Sequence, residues 1–259
     1  MSHNEVPEDQ EKAMGLSPNE AHEYIKSATQ YVKIGNKKVP LSEVLQAYGG
    51  FMNPGLAIKT KRKFGNPAPV GLCGFAATTF VLSCFNVKGL GITIPNVVVG
   101  MAWFYGGMIQ FFAGMWELVC ENTFGAAAFS VYGFFWMAFA ALQTPSFGVA
   151  EAFDGDVTML DNGIALFLLI MGIFTLILWT CTWKSTWAFS ALFFFVFLTF
   201  LLLAIGNFIQ KSSVVTGGGC MGLVAAILAW YNAYAGIAIP EISYVTVKPF
   251  YIPQFGKKD

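Results

Sequence analysis

The sequence predicts an all-α membrane protein of six transmembrane helices, preceded by a short amphipathic N-terminal segment. Three observations carry the prediction. Of the 259 residues 56% are hydrophobic and only 12% charged, with a mean hydropathy of +0.58, whereas a soluble domain carries about 25% charged residues. From near residue 68 to near Ile239 the chain runs through six apolar stretches, each close to the ~20 residues a helix needs to cross a bilayer. The charges are gathered outside them, with nine Lys/Arg and seven Asp/Glu in residues 1–63.

The N-terminal stretch is polar throughout. Residues 1–16 are acidic and contain proline, the composition of a disordered segment. Ser17-Pro18-Asn19-Glu20 is a capping box with proline at the first helical position, which predicts a helix to about Tyr31. Tyr31 to Val39 alternates about Gly35-Asn36 and predicts a small hairpin. Residues 41–48 read as another short helix, stopped by Gly49-Gly50. The first apolar run begins too late and is too long for a signal peptide. The expected organisation is a polar tail over 1–63, a transmembrane domain over 64–240 and a second tail over 241–259.

The six spans are expected over 69–85, 95–118, 124–142, 164–182, 187–208 and 218–239. The joint over 143–163 is the longest and carries Glu151, Asp154, Asp156 and Asp161. Six crossings return the chain to its starting side. Lys59, Lys61, Arg62, Lys63, Lys184, Lys248, Lys257 and Lys258 fall on that side, and only Lys88 and Lys211 on the other. This imbalance predicts both termini in the cytoplasm.

Several functions are disfavoured. A balanced net charge gives no argument for a nucleic-acid partner. Cys73, Cys84, Cys120, Cys181 and Cys220 lie in or beside apolar runs without metal-ligand spacing, so they read as small hydrophobes. No metal, cofactor or catalytic residue is expected, because the spans hold no His, no metal cluster and no nucleophile–base pair. Within these limits the spans also lack Lys, Arg, Asp and interior Glu, unlike a machine with a buried carboxylate relay. Glu117, at the inner end of the second span, is expected to be solvated there; it is also the nearby candidate for carrying a proton.

What the spans hold instead is glycine and neutral polar side chains. Glycines permit close helix approach. Thr78, Thr79, Ser83, Tyr105, Gln110, Ser130, Tyr132, Thr175, Thr199, Asn207 and Asn232 are the polar candidates. Ser and Thr commonly bond to their own helix, so Gln110 and Asn207 stand out, because a buried amide needs a partner or water. These two either line a path or glue helices together.

The stretch Asn66-Pro67-Ala68-Pro69-Val70-Gly71-Leu72 starts the first span. Asn66 is a helix N-cap type, and Pro67 and Pro69 suit a first turn where the missing N–H groups cost nothing. The basic residues upstream place this dipole-positive end at the inner face.

These residues, followed by Gly74-Phe75 and Thr78-Thr79, resemble the signature of the acetate uptake transporters, the GPR1/FUN34/YaaH family. The resemblance extends through residues 104–114, Asn122-Thr123-Phe124-Gly125, Tyr132-Gly133 with Trp136, Gly172 to Thr175, and Leu203 to Asn207. The long polar tail with Tyr31-Val32-Lys33-Ile34-Gly35 is similar to the fungal branch. The resemblance implies six-helix protomers, each with its own central pore, assembled as homo-hexamers in a lipid bilayer. It implies passage of acetate and similar monocarboxylates, with a proton or by a channel-like route. An apolar ring lining the pore of bacterial relatives falls on Phe75, Tyr132 and Val196 by matching flanking motifs. Val196 stands where those relatives commonly have Leu, and Val70 also replaces a usual Leu.

Joining the two readings gives a mechanism to test. Free N–H groups at the helix starts near Asn66 and near Asn122-Thr123 would hold a carboxylate at an inner vestibule, and Phe75, Tyr132 and Val196 would form an apolar gate. Ammonia export through the same pore is the competing transport reading. A membrane sensor or scaffold that signals through residues 1–63 is the competing reading of another class.

Overall fold

The computed structural model of the protein describes residues 30–41, 43–44, 64–91, 94 and 96–254. The expected helix from Pro18 and the segment 1–16 lie outside the described residues, as does most of 41–48. The chain divides into two units, Met1–Lys63 and Phe64–Asp259. In the first, β1 (Tyr31–Ile34) and β2 (Lys37–Pro40) pair antiparallel, Val32 opposite Val39 and Lys33 opposite Lys38. Gly35 enters the connecting turn at φ +62°, a conformation glycine adopts without steric cost.

The second unit is built from six helices long and apolar enough to cross a membrane. They are α1 (Ala68–Asn86), α2 (Asn96–Val119), α3 (Thr123–Gln143), α4 (Val157–Cys181), α5 (Trp187–Phe208) and α6 (Ser212–Ile237). Two starts differ from the sequence reading. Helix α4 begins at Val157, not near Ile164, because Asp156 caps it, its Oδ1 accepting from Met159 N at 2.9 Å. Asp161 therefore sits inside a helix, in its second turn, and the preceding joint is shorter than expected. Helix α6 begins at Ser212, so the three glycines Gly217 to Gly219 lie inside it.

Helix α2 is not uniform. Its central turn, Phe104–Ile109, is π-helical, between α-helical Asn96–Trp103 and Gln110–Val119. Such an inserted turn re-aims the residues that follow it. It sits where α1 and α2 meet, at a contact so close that a Cβ on Gly74 would lie 2.6 Å from the Tyr105 carbonyl oxygen.

The helices close a ring. α1 packs along α6, α6 along α5 and α5 along α4, while α2 packs on both α1 and α3. Large rings bridge α3 and α4, with Phe135 stacked on Phe167 at 5.1 Å and Tyr132 edge-on to Phe174 at 5.8 Å. The starts of α1, α3 and α5 lie at one end of the ring. Phe124 of α3 meets Phe189 and Phe193 of α5 there, and Pro69 lies against Gly236 near the end of α6. At the opposite end, Asn86 of α1 and Gly206 of α5 lie against the start of α6. The C-terminal segment returns to the first end: Trp187 N donates to Phe250 O and Ile252 N to Ser185 O, each at 2.9 Å.

Candidate permeation path

Phe75, Tyr132 and Val196 stand midway along α1, α3 and α5, all buried. The rings of Phe75 and Tyr132 are 5.9 Å apart and inclined at 47°. Tyr132 also stacks on Phe200 at 6.3 Å and tilts against Phe193 at 6.5 Å. Its hydroxyl lies 2.8 Å from Thr175 Oγ1. Thr175 gives its own proton to the Met171 carbonyl at 2.7 Å, so Tyr132 is the donor of the pair. With its hydroxyl thus committed, Tyr132 presents an apolar ring face.

Two cavities meet at this level. The one toward the helix starts, of about 30 Å³, is lined by residues including Leu72, Phe129 and Phe193 together with Phe75, Tyr132 and Val196. That is room on the order of a few water molecules. The one toward the opposite end holds about 200 Å³, and its wall includes Thr79, Asn86, Trp136 and Asn207. Phe75 and Val196 belong to both walls and so form the septum between them. Leu192 and Phe193 of the smaller wall and Phe135 and Phe200 of the larger one are not among the residues expected from the sequence. The available signal was spacing: Leu192, Val196, Thr199, Leu203 and Asn207 recur at three and four residues along α5.

The polar candidates divide into satisfied and unsatisfied groups. Thr78 Oγ1 donates to Gly74 O at 2.9 Å, Thr199 Oγ1 to Phe195 O at 2.7 Å, Asn207 Nδ2 to Leu203 O at 2.7 Å and Asn232 Nδ2 to Leu228 O at 2.7 Å. Each bonds within its own helix, and Thr78 Oγ1 also reaches Met101 O of α2 at 3.5 Å. Asn207 nonetheless lines the larger cavity, as do Thr79 and Ser83. Gln110, only 1% exposed, lines the smaller one. Thr79 Oγ1, Gln110 Oε1, Ser130 Oγ and Trp136 Nε1 are buried without a hydrogen-bond partner among the described residues.

The motif at the start of α1 corrects the vestibule mechanism. Asn66 Oδ1 accepts from Ala68 N at 3.1 Å, and Val70 N donates to Pro67 O at 3.1 Å. Pro67 and Pro69 have no N–H. The free amide groups expected there are therefore absent from this turn: proline removed two and local bonds use the others. Most of the motif serves packing instead. A Cβ on Gly71 would stand 2.7 Å from the Phe129 ring, and Val70 faces outward, 52% exposed. At α3, Asn122 Oδ1 accepts from Gly125 N at 3.1 Å, which leaves the N–H groups of Thr123 and Phe124 in that first turn.

Glu117 is also corrected. It is not solvated but 3% exposed. The chain leaves α2 through a Schellman turn, Asn122 N donating to Glu117 O at 2.9 Å and Glu121 N to Leu118 O at 3.1 Å, with Glu121 at φ +61°. That turn swings Asn122 back over Glu117, whose Oε2 accepts from Asn122 Nδ2 at 2.7 Å. Glu117 Oε1 has no hydrogen-bond partner among the described residues.

Comparison with known proteins agrees with this architecture. Residues 48–254 match the GPR1/FUN34/yaaH family. The chain is 50% identical over 228 residues to "Ammonia transport outward protein 2" of Saccharomyces cerevisiae, covering 88% of this chain and 81% of that protein. It is 47% identical over 222 residues to "Acetate permease A" of Emericella nidulans, covering 81% and 74%. A solved structure, "Structure of the bacterial acetate channel SatP", aligns at a TM-score of 0.61 with 35% identity, covering 68% of this chain and 93% of that one. A multi-pass, six-helix membrane protein whose family match runs through every span described above, this chain belongs to the GPR1/FUN34/yaaH family.

Proposed function

We propose that the protein carries acetate and other short-chain monocarboxylates across a membrane, as a transporter or channel, together with a proton. The observation that supports this most is the pair of cavities divided by Phe75 and Val196, with Tyr132 against them. An apolar septum of this kind admits a small neutral acid at little cost and opposes a bare anion, which would lose its hydration. The similarity to an acetate permease and to a bacterial acetate channel points to the same substrate class.

In this reading Phe75, Tyr132 and Val196 form the constriction. Asn66 to Leu72, with Asn122 and Thr123, form the lip of the cytoplasmic vestibule, where Asn66 and Asn122 fix the helix starts. Thr78, Thr79, Gln110 and Asn207 supply polar positions beside the path. Each protomer has its own path, six protomers assemble as a hexamer in the plasma membrane, and both termini are cytoplasmic. Residues 1–63 and 241–259 are then cytoplasmic tails flanking the transport domain. No enzymatic step, metal or cofactor enters this function.

Ammonia export is the second reading, favoured by the 50% identity to a protein named for outward ammonia transport. Purified protein in vesicles, assayed in parallel for labelled acetate entry and for ammonia flux, tests both. Acetate entry above protein-free vesicles is expected. Ammonia flux without acetate flux would overturn the proposal in favour of the second reading.

A further inference from the structure

Glu117 has a setting that the constriction does not explain. Gln110, Ala113, Gly114 and Glu117 form the buried stripe of the last part of α2. Gln110 lines the smaller cavity, and Glu117 follows seven residues later on that stripe, about 10 Å further toward the helix starts at ~1.5 Å per residue. The carboxyl is held by one oxygen only. Oε2 accepts from Asn122 Nδ2 at 2.7 Å, while Oε1 is buried without a partner among the described residues. A carboxyl oxygen acting as acceptor keeps that role whether or not its partner oxygen carries a proton. The joint between α2 and α3 therefore survives protonation at Oε1.

The surroundings offer no fixed counter-charge among the described residues. The helices packed on this part of α2 are α1 and α3. Neither carries Lys, Arg, His, Asp or Glu, and their titratable groups are Cys73, Cys84 and Tyr132. Glu121, in the following turn, is the other nearby carboxyl. An unpaired buried carboxylate is costly, and a proton is the simplest way to remove the cost.

We propose that Glu117 is a proton-accepting site at the inner end of the path. A carboxylic acid arriving there gives its proton to the Glu117 carboxylate at Oε1, becoming a carboxylate while Glu117 becomes neutral. Water on the cytoplasmic side then takes that proton and returns Glu117 to its charged form. Through Asn122, which holds the first turn of α3, the site is tied to the helix that carries Phe129 and Tyr132. This inference rests on the transport reading above.

The test is acetate exchange across vesicles with equal pH inside and out, followed from acidic to neutral pH, for wild type, Glu117→Gln and Glu117→Asp. Glu117→Gln keeps an acceptor for Asn122 but cannot titrate. The expected result is exchange with its pH dependence flattened relative to wild type, alongside an unchanged thermal midpoint and elution volume. Glu117→Asp, which still titrates, is expected to retain a pH-dependent profile, and this second variant decides the matter if Glu117→Gln does not fold. A Glu117→Gln profile that follows wild type, or a flattened Glu117→Asp profile, overturns the assignment. Absence of exchange in wild type would instead defeat the transport reading itself, so the two failures are distinguishable.

Discussion

Replacing Phe75 with Ala should both loosen the constriction and weaken the fold, by amounts that follow from the geometry. Phe75 is buried and separates cavities of about 30 and about 200 Å³. In the proposed gate, passage would require its ring to leave the tilted contact with Tyr132 at 5.9 Å. Aromatic pairs of this kind contribute about 0.5–1.5 kcal/mol beyond burial. If breaking that contact is part of the barrier, its removal raises flux by about 2- to 12-fold, since each ~1.4 kcal/mol is a factor of ten in rate. Acids longer than acetate should gain more than acetate, because the joined cavities no longer exclude them by width. Truncation of a buried Phe costs ~3–5 kcal/mol; here the lower end applies, because part of the ring already faces empty space. The assay is uptake of labelled acetate and of a four-carbon acid by vesicles containing equal amounts of folded wild type and Phe75→Ala. An unchanged acetate rate together with an unchanged preference for the shorter acid would refute the gate assignment.

Two further substitutions probe the same region. Tyr132→Phe removes the bond to Thr175 and keeps the ring; a stability loss of about 0.5–1.5 kcal/mol by thermal unfolding is expected, with acetate flux retained. Abolished flux would mean that the hydroxyl, not the ring, acts on the substrate. Gly125→Ala places a Cβ 2.6 Å from Asn122 Nδ2 and 2.9 Å from Glu117 Cδ, an overpacking expected to cost ~1–3 kcal/mol. A lowered thermal midpoint checks it, and an unchanged one would mean that the joint between α2 and α3 is looser than its hydrogen bonds imply.

How much of this was legible in the sequence depended on how locally each feature is encoded. Helix α5 reads at its observed bounds, Trp187–Phe208, because a long apolar run follows Thr186, whose Oγ1 accepts from Phe189 N at 3.3 Å. The sequence begins helix α4 seven residues late, because Asp161, Asn162 and Gly163 look like loop. In the structure they form turns lying beyond the apolar run, held by the Asp156 cap. The sequence does not announce the π-helical turn of α2. Gly106 and Gly107 read as packing glycines, and only the structure shows the Tyr105 carbonyl of that turn close against Gly74 on α1. The burial of Glu117 was likewise hidden, since it depends on a Schellman turn that closes over it rather than on its place at a helix end. The proximity of Phe75, Tyr132 and Val196 is a property of three helices far apart in sequence. Periodicity alone placed each on a helix, and the family resemblance brought them together.

The central claim is that short acids cross between the two cavities through the septum. Val196, buried in both walls, tests it most directly. Val196→Phe adds a ring at that point, with the larger cavity of about 200 Å³ beside it to receive the extra atoms. The measurement is labelled acetate entry into vesicles carrying this variant, with its fold checked by thermal unfolding and by elution volume. The account predicts acetate entry reduced to the level of protein-free vesicles, and entry at the wild-type rate by the folded variant would contradict it.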